Sequence, residues 1–207
     1  MRDFGLVVIG AHTGQYLKDI ILKYSEKNIL LVEPVPYNYE VLEKEYASRT
    51  NFFICKNAIL DVSKKQNFFY VKKNSINKLG KHWATGIGSF DKNHILSHKG
   101  KRFKINDEDI QNIDIDFITF KDLTERYSIQ SIDKLQLDVE GAEYKILNSI
   151  DYKKMKINEI FFESKHFDGT FSEGKKLMET KLMLEAKGYI LEKVDKENIL
   201  ARKITSD

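Results

Sequence analysis

Short apolar runs alternate with amphipathic segments through most of the chain, and this alternation constrains the fold more than any other feature. FGLVVIG, NILLVEP and NFFICKN are predicted to be buried strands, and QYLKDIILKY and NYEVLEKEYA between them carry apolar residues at helical spacing. Further along, IDFITF, IDKLQLDVEG and INEIFFES predict strands, and KDLTERYS, AEYKILNSI and the region 173–187 predict helices. Such alternation predicts an α/β fold with a mainly parallel sheet and helices on both faces. The closing YILEKVDKENILARKI predicts an antiparallel hairpin at one edge of the sheet.

The length and the composition predict a single domain over residues 1–207. Of the 207 residues, 42% are hydrophobic and 31% are charged, which is typical of a globular protein. The segment 74–110 breaks the alternation, because it is polar, contains glycines and carries the only tryptophan. Long connections of this kind are usually functional. We therefore interpret 74–110 as an insertion that covers the substrate.

The charge balance and the lone cysteine limit the partners and the compartment. The net charge is only +3 with both signs interspersed, which disfavours a nucleic acid or a membrane surface as the partner. No run approaches the ~18 consecutive apolar residues of a membrane span, and no signal peptide is recognisable. Cys55 is the only cysteine, which favours a reducing compartment. We expect a cytoplasmic protein, and the sequence leaves open whether it forms a homo-oligomer.

The turn after the first predicted strand has the sequence Gly10-Ala11-His12-Thr13-Gly14. Ligands of parallel α/β sheets bind at the carboxyl ends of the strands, so a ligand is expected at this turn. The G-x-x-x-G spacing differs from the dinucleotide fingerprint G-x-G-x-x-G and from the phosphate loop of ATP- and GTP-binding proteins. It therefore disfavours an NAD-dependent oxidoreductase and fits a nucleoside ligand without phosphates.

Acidic residues follow two of the predicted strands. Glu33 ends the second strand, and an acid about 20 residues beyond the glycine turn is the usual partner of ribose hydroxyls. Asp138, Glu140 and Glu143 surround Gly141, where a buried strand is followed by a helix. Glu143 is explained by the helix dipole, whereas Asp138 is not, so the cluster indicates a functional site.

Four segments, VVIGAHTG, LLVEPVPYNYEVL, KNAI and IDKLQLDVEGAEYKIL, resemble in this order the FkbM family of S-adenosylmethionine-dependent methyltransferases. The resemblance extends over residues 6–165, and D-V-E-G-A-E and E-P-x-P are its most specific parts. It implies a Rossmann-like class I methyltransferase fold with S-adenosyl-L-methionine as the cofactor. It also implies methyl transfer, generally to oxygen, on the hydroxyls of sugars or other small metabolites.

The resemblance also implies roles for individual residues. Gly10, Ala11 and Gly14 would line the methionine part of the cofactor, and Glu33 would accept hydrogen bonds from the ribose hydroxyls. Asp138 and Glu140 would face the methyl group and the substrate, and Asn57 with Ala58 would border the adenine. The predicted cofactor residues are Gly10, Ala11, His12, Thr13, Gly14, Glu33, Pro34, Asn57, Ala58 and Asp138.

One residue departs from the family pattern. The family usually carries an acid two residues before the first loop glycine, and this chain carries Val8 there. Such an acid often anchors the methionine ammonium group. Either the cofactor binds more weakly here, or His12, Thr13 or Asp138 takes over that contact. A further alternative is a degenerate, non-catalytic binding module of the same fold.

Methyl transfer to a hydroxyl requires a group that takes the proton. The candidates are Asp138, Glu140, Glu163 and His166, and the last two follow the predicted strand INEIFFES. His166 is favoured because histidine titrates near neutral pH. Asp138 and Glu163 could instead hold a divalent metal, although no spacing requires one. The histidines at 82, 94 and 98 lack a cysteine or an identifiable fourth ligand, so no metal site is predicted.

The acceptor is expected to bind against the insertion 74–110, the region after Glu163 or a partner subunit, because the first predicted strand lies so close to the start of the sequence. Trp83 and Ser89 are the predicted substrate residues. The basic residues between Lys99 and Lys104 would suit an anionic acceptor such as a nucleotide-linked sugar. A methyltransferase acting on RNA or protein is the alternative within the same enzyme class, and no RNA-binding motif supports it.

Overall fold

The computed structural model describes residues 1–80, 82–99, 104–169 and 172–204, without the side chains of His82 and Trp83. The predicted role of the Trp83 side chain, and that of Lys101 and Arg102, therefore falls outside the described parts of the chain.

The helices and strands follow one another in the order that the sequence predicts, with additions in the middle of the chain. The strands are β1 (Arg2–Ile9), β2 (Asn28–Val32), β3 (Phe52–Cys55), β4 (Ala58–Leu60), β5 (Lys64–Val71), β6 (Gly88–Ser89), β7 (Ile110–Thr119), β8 (Ile129–Leu137), β9 (Lys156–Glu163), β10 (Tyr189–Lys193) and β11 (Asn198–Lys203). The α-helices are α1 (Lys18–Lys23), α2 (Pro36–Tyr46), α3 (Ser75–Leu79), α4 (Lys92–Leu96), α5 (Phe120–Arg126), α6 (Glu143–Ser149) and α7 (Gly174–Ala186).

Within the described residues, the main sheet has seven strands in the order β10-β11-β9-β8-β1-β2-β3. The five strands from β9 to β3 run parallel, so their carboxyl ends meet at one edge. The last two strands form the predicted hairpin, and β11 pairs antiparallel with β9. The strand order reverses beside β1, which is where such sheets bind ligands. The predicted α/β, Rossmann-like fold with an antiparallel edge is confirmed.

Both faces of β1 are buried, because helices cover the sheet on each side. Val7 and Ile9 belong to the larger apolar core, whereas Val8 belongs to a second core beneath α1 and α2. Val8 is fully buried against this second core, so its side chain packs among apolar groups such as Leu42. Among the described residues, none of the helices is long and apolar enough to cross a membrane.

A second sheet, in the order β4-β7-β5-β6, was not predicted from the sequence. Its longest pairing joins β5 and β7 in antiparallel register from Lys64–Phe117 to Val71–Ile110. The first half of β5 is mostly exposed and polar, so it lacks the apolar run that identifies the strands of the main sheet. The prediction IDFITF covered only the final part of β7.

The described part of the segment 74–110 is more ordered than its sequence pattern indicates. It contains α3, a 3-10 helix at His82–Gly86, the two-residue strand β6 and α4. These pieces pack around a small apolar core that includes Ile87, Ile95 and Ile105. Each piece is too short to produce a recognisable hydrophobic period, which explains why none of them was predicted.

Candidate active site

A pocket opens at the carboxyl ends of β1, β2 and β8, and we call it the strand-end pocket. Six of the predicted cofactor residues line it: Gly10, Glu33, Pro34, Asn57, Ala58 and Asp138. The second sheet contributes Phe68 and Phe117, and the segment after β6 contributes Phe90. The pocket is therefore a largely apolar slot with carboxylates at one end, which suits a flat ring joined to a polar chain.

Gly10 allows the two central strands to approach each other at the base of this pocket. Its φ is +89°, and a Cβ placed on it would lie 1.8 Å from the carbonyl oxygen of Asp138. The Asp138 amide donates to the carbonyl of Ile9 at 3.0 Å, which closes the junction. A side chain at this position would therefore push β1 and β8 apart.

The other loop residues line different surfaces. Ala11 is buried in the apolar core beneath the helices, and Thr13 and Gly14 border a shallow surface depression beside Tyr46. His12 adopts a left-handed backbone with φ 52°. Its amide donates to Glu33, and its ring contacts the hydroxyl of Thr85. Of the glycine turn, only Gly10 thus lines the strand-end pocket.

Glu33 is buried at the end of β2 and is held by backbone donors. Its Oε2 accepts from the His12 amide at 2.8 Å, and its Oε1 accepts from the Val35 amide at 2.9 Å. Burial raises the pKa of Glu33 to about 7, although both hydrogen bonds oppose the rise. The carboxylate is thus oriented in advance, with lone pairs left to accept from a ligand's hydroxyls.

Two side chains at the start of α2 attach the 3-10 helix and the end of β5 to this site. The Asn38 amide donates to the carbonyl of Thr85 at 2.8 Å, and the Tyr37 hydroxyl donates to the carbonyl of Val71 at 2.8 Å. Sequence reasoning missed both residues, because polar positions on a predicted helix normally face solvent. The cover of the pocket is therefore connected to the same strand–helix junction that carries Glu33.

The turn after β8 has a strained backbone that Glu143 holds in place. Glu140 has a left-handed backbone with φ 53°, and Gly141 follows with φ 101°. The buried Glu143 accepts from the Val139 amide at 2.8 Å and from the Gly141 amide at 2.9 Å. Burial raises the pKa of Glu143 to about 7. Glu143 therefore stabilises the turn that carries Glu140.

A second cavity, the outer pocket, shares a wall with the strand-end pocket. Ser89, Phe90 and Glu140 line both pockets. The remaining wall of the outer pocket combines charged side chains, aromatic rings and histidines: Asp61, Asp91, Asn93, His94, Tyr144, Lys145, His166, Phe167 and Lys176. Both signs of charge are present, so the outer pocket favours a polar ligand of low net charge.

Glu140 is surrounded by histidines at this shared wall. Its Oε2 lies 3.1 Å from His94 Nε2 and 3.3 Å from His166 Nε2. The ring of His98 packs against both other imidazoles. Burial would raise the pKa of Glu140, but the neighbouring histidines outweigh it and lower the pKa. Burial lowers the pKa of His166, so its imidazole is neutral at neutral pH.

Glu163 lies behind this group rather than on a pocket wall. It is buried at the end of β9, its Oε1 contacts the Lys165 ammonium group, and its Oε2 lies 3.7 Å from His166 Nε2. Burial together with the nearby carboxylates raises the pKa of Glu163, which favours its protonated form. Asp138 is exposed and belongs to the strand-end pocket. The four predicted catalytic residues therefore occupy one region, but in different environments.

The chain matches one family model and is similar to several solved structures. The family model of the methyltransferase FkbM domain matches residues 9–191. No curated protein matches the sequence. Among solved structures, precorrin-6y C5,15-methyltransferase from Geobacter metallireducens is 12% identical, with a TM-score of 0.45 over 98% of this chain and 82% of that chain. The fibrillarin pre-rRNA processing protein of Methanococcus jannaschii is 13% identical, with a TM-score of 0.49 over 98% of this chain and 67% of that chain.

A fibrillarin from Aeropyrum pernix, solved with natively bound S-adenosyl-L-methionine, is 10% identical, with a TM-score of 0.46 over 96% of this chain and 66% of that chain. The match to the family model covers most of the sequence, including the glycine turn, Glu33 and the turn after β8. The chain therefore belongs to the FkbM family of S-adenosylmethionine-dependent methyltransferases.

Proposed function

We propose that the protein transfers the methyl group of S-adenosylmethionine to a hydroxyl of a sugar or another small metabolite. The cofactor occupies the strand-end pocket and the acceptor occupies the outer pocket. The observation that carries this proposal is the wall of Ser89, Phe90 and Glu140, which both pockets share. Residues that line both pockets mark the place where the pockets adjoin, and an in-line substitution requires the donor carbon and the acceptor oxygen to meet at such a junction.

Each part of the cofactor has a chemically suitable surface in the strand-end pocket. Glu33 accepts hydrogen bonds from the ribose hydroxyls, in addition to those from its two backbone donors. The apolar rings of Phe68 and Phe117, beside Asn57 and Ala58, pack against the adenine. Asp138 is an exposed carboxylate in this pocket, and it binds the methionine ammonium group. It thereby replaces the family's usual acid, whose position Val8 occupies in this chain.

The outer pocket fits a polar acceptor with several hydroxyl groups. The rings of Phe90 and Tyr144 offer apolar faces, and Asp61, Asp91 and Lys145 offer hydrogen-bond partners of both kinds. Part of this wall comes from the segment 74–110, which acts as the insertion that covers the acceptor. In the reaction the bond from sulfur to the methyl carbon breaks, the bond from that carbon to the acceptor oxygen forms, and the oxygen loses its proton. Glu140 and His166 lie on the acceptor side, where that proton leaves.

The test uses two variants, each of which changes only one of the two pockets. S-adenosylhomocysteine formation is measured against a panel of sugars, nucleotide-linked sugars and other hydroxylated metabolites, with RNA and protein substrates included. Glu33→Ala should weaken S-adenosylmethionine binding at least tenfold in calorimetry. Tyr144→Ala should leave that affinity unchanged and raise the KM for the acceptor.

Turnover confined to RNA or protein would refute the small-molecule acceptor. Cofactor binding without turnover on any member of the panel would favour the non-catalytic module. NAD serves as the control nucleotide in the binding measurement, and we expect no binding of NAD.

A further inference from the structure

We propose that His94, His98, Glu140 and His166 form a binding site for a divalent transition-metal ion, with Zn²⁺ as the best match. Each of these residues offers one ligand atom, and these four atoms all lie within 4.8 Å of one another. The residues come from three separate parts of the chain, namely α4 with the turn after it, the turn after β8 and the turn after β9. The adjacent parallel strands β8 and β9 carry Glu140 and His166 to one edge of the sheet, and α4 with the turn after it brings His94 and His98 to the same place.

The distances already approach those of a tetrahedral site. An ion about 2.1 Å from each of four ligands would separate neighbouring ligand atoms by about 3.4 Å. Glu140 Oε2 lies 3.1 Å from His94 Nε2 and 3.3 Å from His166 Nε2. Three imidazoles around one such ion would have ring centroids about 5 Å apart. The three centroid distances are 5.4, 4.8 and 6.0 Å.

The spacing and the backbone of the ligands also favour a metal. His94 lies in α4 and His98 lies in the turn after it, and their ring centroids are 5.4 Å apart. Glu140 has an unfavourable left-handed backbone with φ 53°. The two hydrogen bonds that Glu143 accepts stabilise this conformation. Strained residues that their surroundings hold in this way cluster at functional sites.

The chemistry of the donor set selects the class of ion. Three imidazole nitrogens and one carboxylate oxygen suit Zn²⁺, Co²⁺ or Fe²⁺, whereas Mg²⁺ prefers oxygen ligands and water. The site is largely dry, because His98 is fully buried and His94 and His166 are only 9% and 2% exposed. A divalent ion with one carboxylate ligand keeps a net charge of +1, which an anionic oxygen from outside would neutralise.

A second group of acids, Asp138, Glu143 and Glu163, also lies close enough together to be considered. Both oxygens of Glu143 are occupied by backbone amides, and an oxygen of Glu163 contacts Lys165. These partners compete with a cation, so the histidine group is the stronger candidate.

An ion at this position would have a structural role and a chemical role. It would connect the insertion, through α4, to the turns after β8 and β9, because its ligands come from all three. Three of its ligands, His94, Glu140 and His166, line the outer pocket. If the acceptor binds there, a statement that rests on the proposed function, the ion can accept the acceptor oxygen as a fifth ligand and lower the pKa of its hydroxyl. His166 would then be a metal ligand, and no histidine of the group would serve as the base.

The experiment measures metal binding without any acceptor. The purified full chain is freed of metal with a chelator and titrated with ZnCl₂ and with CoCl₂, by calorimetry and by visible absorption of Co²⁺. His98→Gln and Glu140→Gln remove one ligand each. His12→Gln is the matched histidine control, and Glu163→Gln tests the neighbouring acidic group. S-adenosylmethionine affinity is measured separately for each variant, so that a failure of the cofactor pocket is distinguished from a failure of the metal site.

We expect one Zn²⁺ or Co²⁺ per chain, a tetrahedral Co²⁺ spectrum, and an unfolding midpoint raised by roughly 5 to 10 °C at a hundredfold excess over Kd. His98→Gln and Glu140→Gln should each weaken binding at least tenfold, whereas His12→Gln should not. Glu163→Gln should weaken binding less than either, because Glu163 contacts the ligand His166 without belonging to the four ligands. The absence of 1:1 binding to the wild-type chain would overturn the proposal. So would wild-type affinity in both ligand variants, or a loss of binding confined to Glu163→Gln.

Discussion

Replacing Gly10 by alanine tests whether the close approach of β1 and β8 is needed for the stability of the fold and for ligand binding in the strand-end pocket. The new Cβ would lie 1.8 Å from the Asp138 carbonyl oxygen, so the backbone of β8 must retreat by more than 1 Å to reach an ordinary contact. This movement breaks the 3.0 Å hydrogen bond from the Asp138 amide to Ile9. The left-handed φ adds about 1 to 2 kcal/mol, and the broken buried bond adds about 1 to 3 kcal/mol. We therefore expect a total loss of about 2 to 5 kcal/mol.

Gly14→Ala is the matched control, because it changes the same residue type in the same turn. Gly14 also has a left-handed φ, of +74°, but its Cβ would meet only side-chain atoms of Leu42 and Tyr46, at 3.1 Å and 3.2 Å. Those side chains can shift by a few tenths of an ångström, so only the backbone strain of about 1 to 2 kcal/mol remains. The two variants should therefore differ by about 2 kcal/mol.

The assay is urea and thermal unfolding of both variants, followed by calorimetry with S-adenosylmethionine. A difference of about 2 kcal/mol corresponds to a gap of roughly 4 to 8 °C in Tm for a domain of this size. Gly10→Ala should also lower the cofactor affinity at least tenfold, because Asp138 moves with its carbonyl. Equal destabilisation by the two substitutions, or unchanged affinity in Gly10→Ala, would refute the reasoning.

Three further predictions concern stability alone. Glu33 has a pKa of about 7 when folded and 4.5 when unfolded, so its stabilising contribution is full below pH 4.5 and is lost as the pH rises through 7. Between pH 4.5 and 8, urea unfolding should show the wild type losing about 3 kcal/mol more than Glu33→Gln, and parallel curves would contradict this. Glu143→Gln would set an amide NH₂ against one of the donors at Val139 and Gly141, and should lower the free energy of unfolding by about 1 to 3 kcal/mol. Tyr37→Phe removes the hydrogen bond to the end of β5 and should cost about 1 kcal/mol, so an unchanged urea midpoint would show that this bond is not needed.

The sequence predicted the main sheet because its strands are buried on both faces and therefore appear as unbroken apolar runs. The second sheet left no such signal, since β5 begins with charged and polar residues and only its last part is buried. Its stability comes from the long antiparallel pairing with β7, more than forty residues away, which no local pattern reveals. Phe68 and Phe117 were missed as pocket residues for the same reason.

The candidate site, like the fold, was predicted only in part. Glu33 and Asp138 were predicted because each ends a buried parallel strand, where topology alone brings side chains together. The grouping of Glu140 with three histidines could not be predicted, because two of its members lie in the insertion and one follows β9. His94 and His98 are four residues apart in the sequence, but nothing in this spacing indicates His166.

The central position of β1 also has a consequence for how the chain is made. β1 precedes the other strands of this sheet in the described chain, yet one of its two neighbours, β8, begins about 120 residues later. At ~5 to 20 residues per second, β1 therefore waits roughly 6 to 24 s before that partner leaves the ribosome. During this time β2 and β3 can pair on one side, while the other edge of β1 is open to wrong partners. The base of the strand-end pocket lies on this edge, so that pocket is incomplete until β8 closes the sheet from the far side.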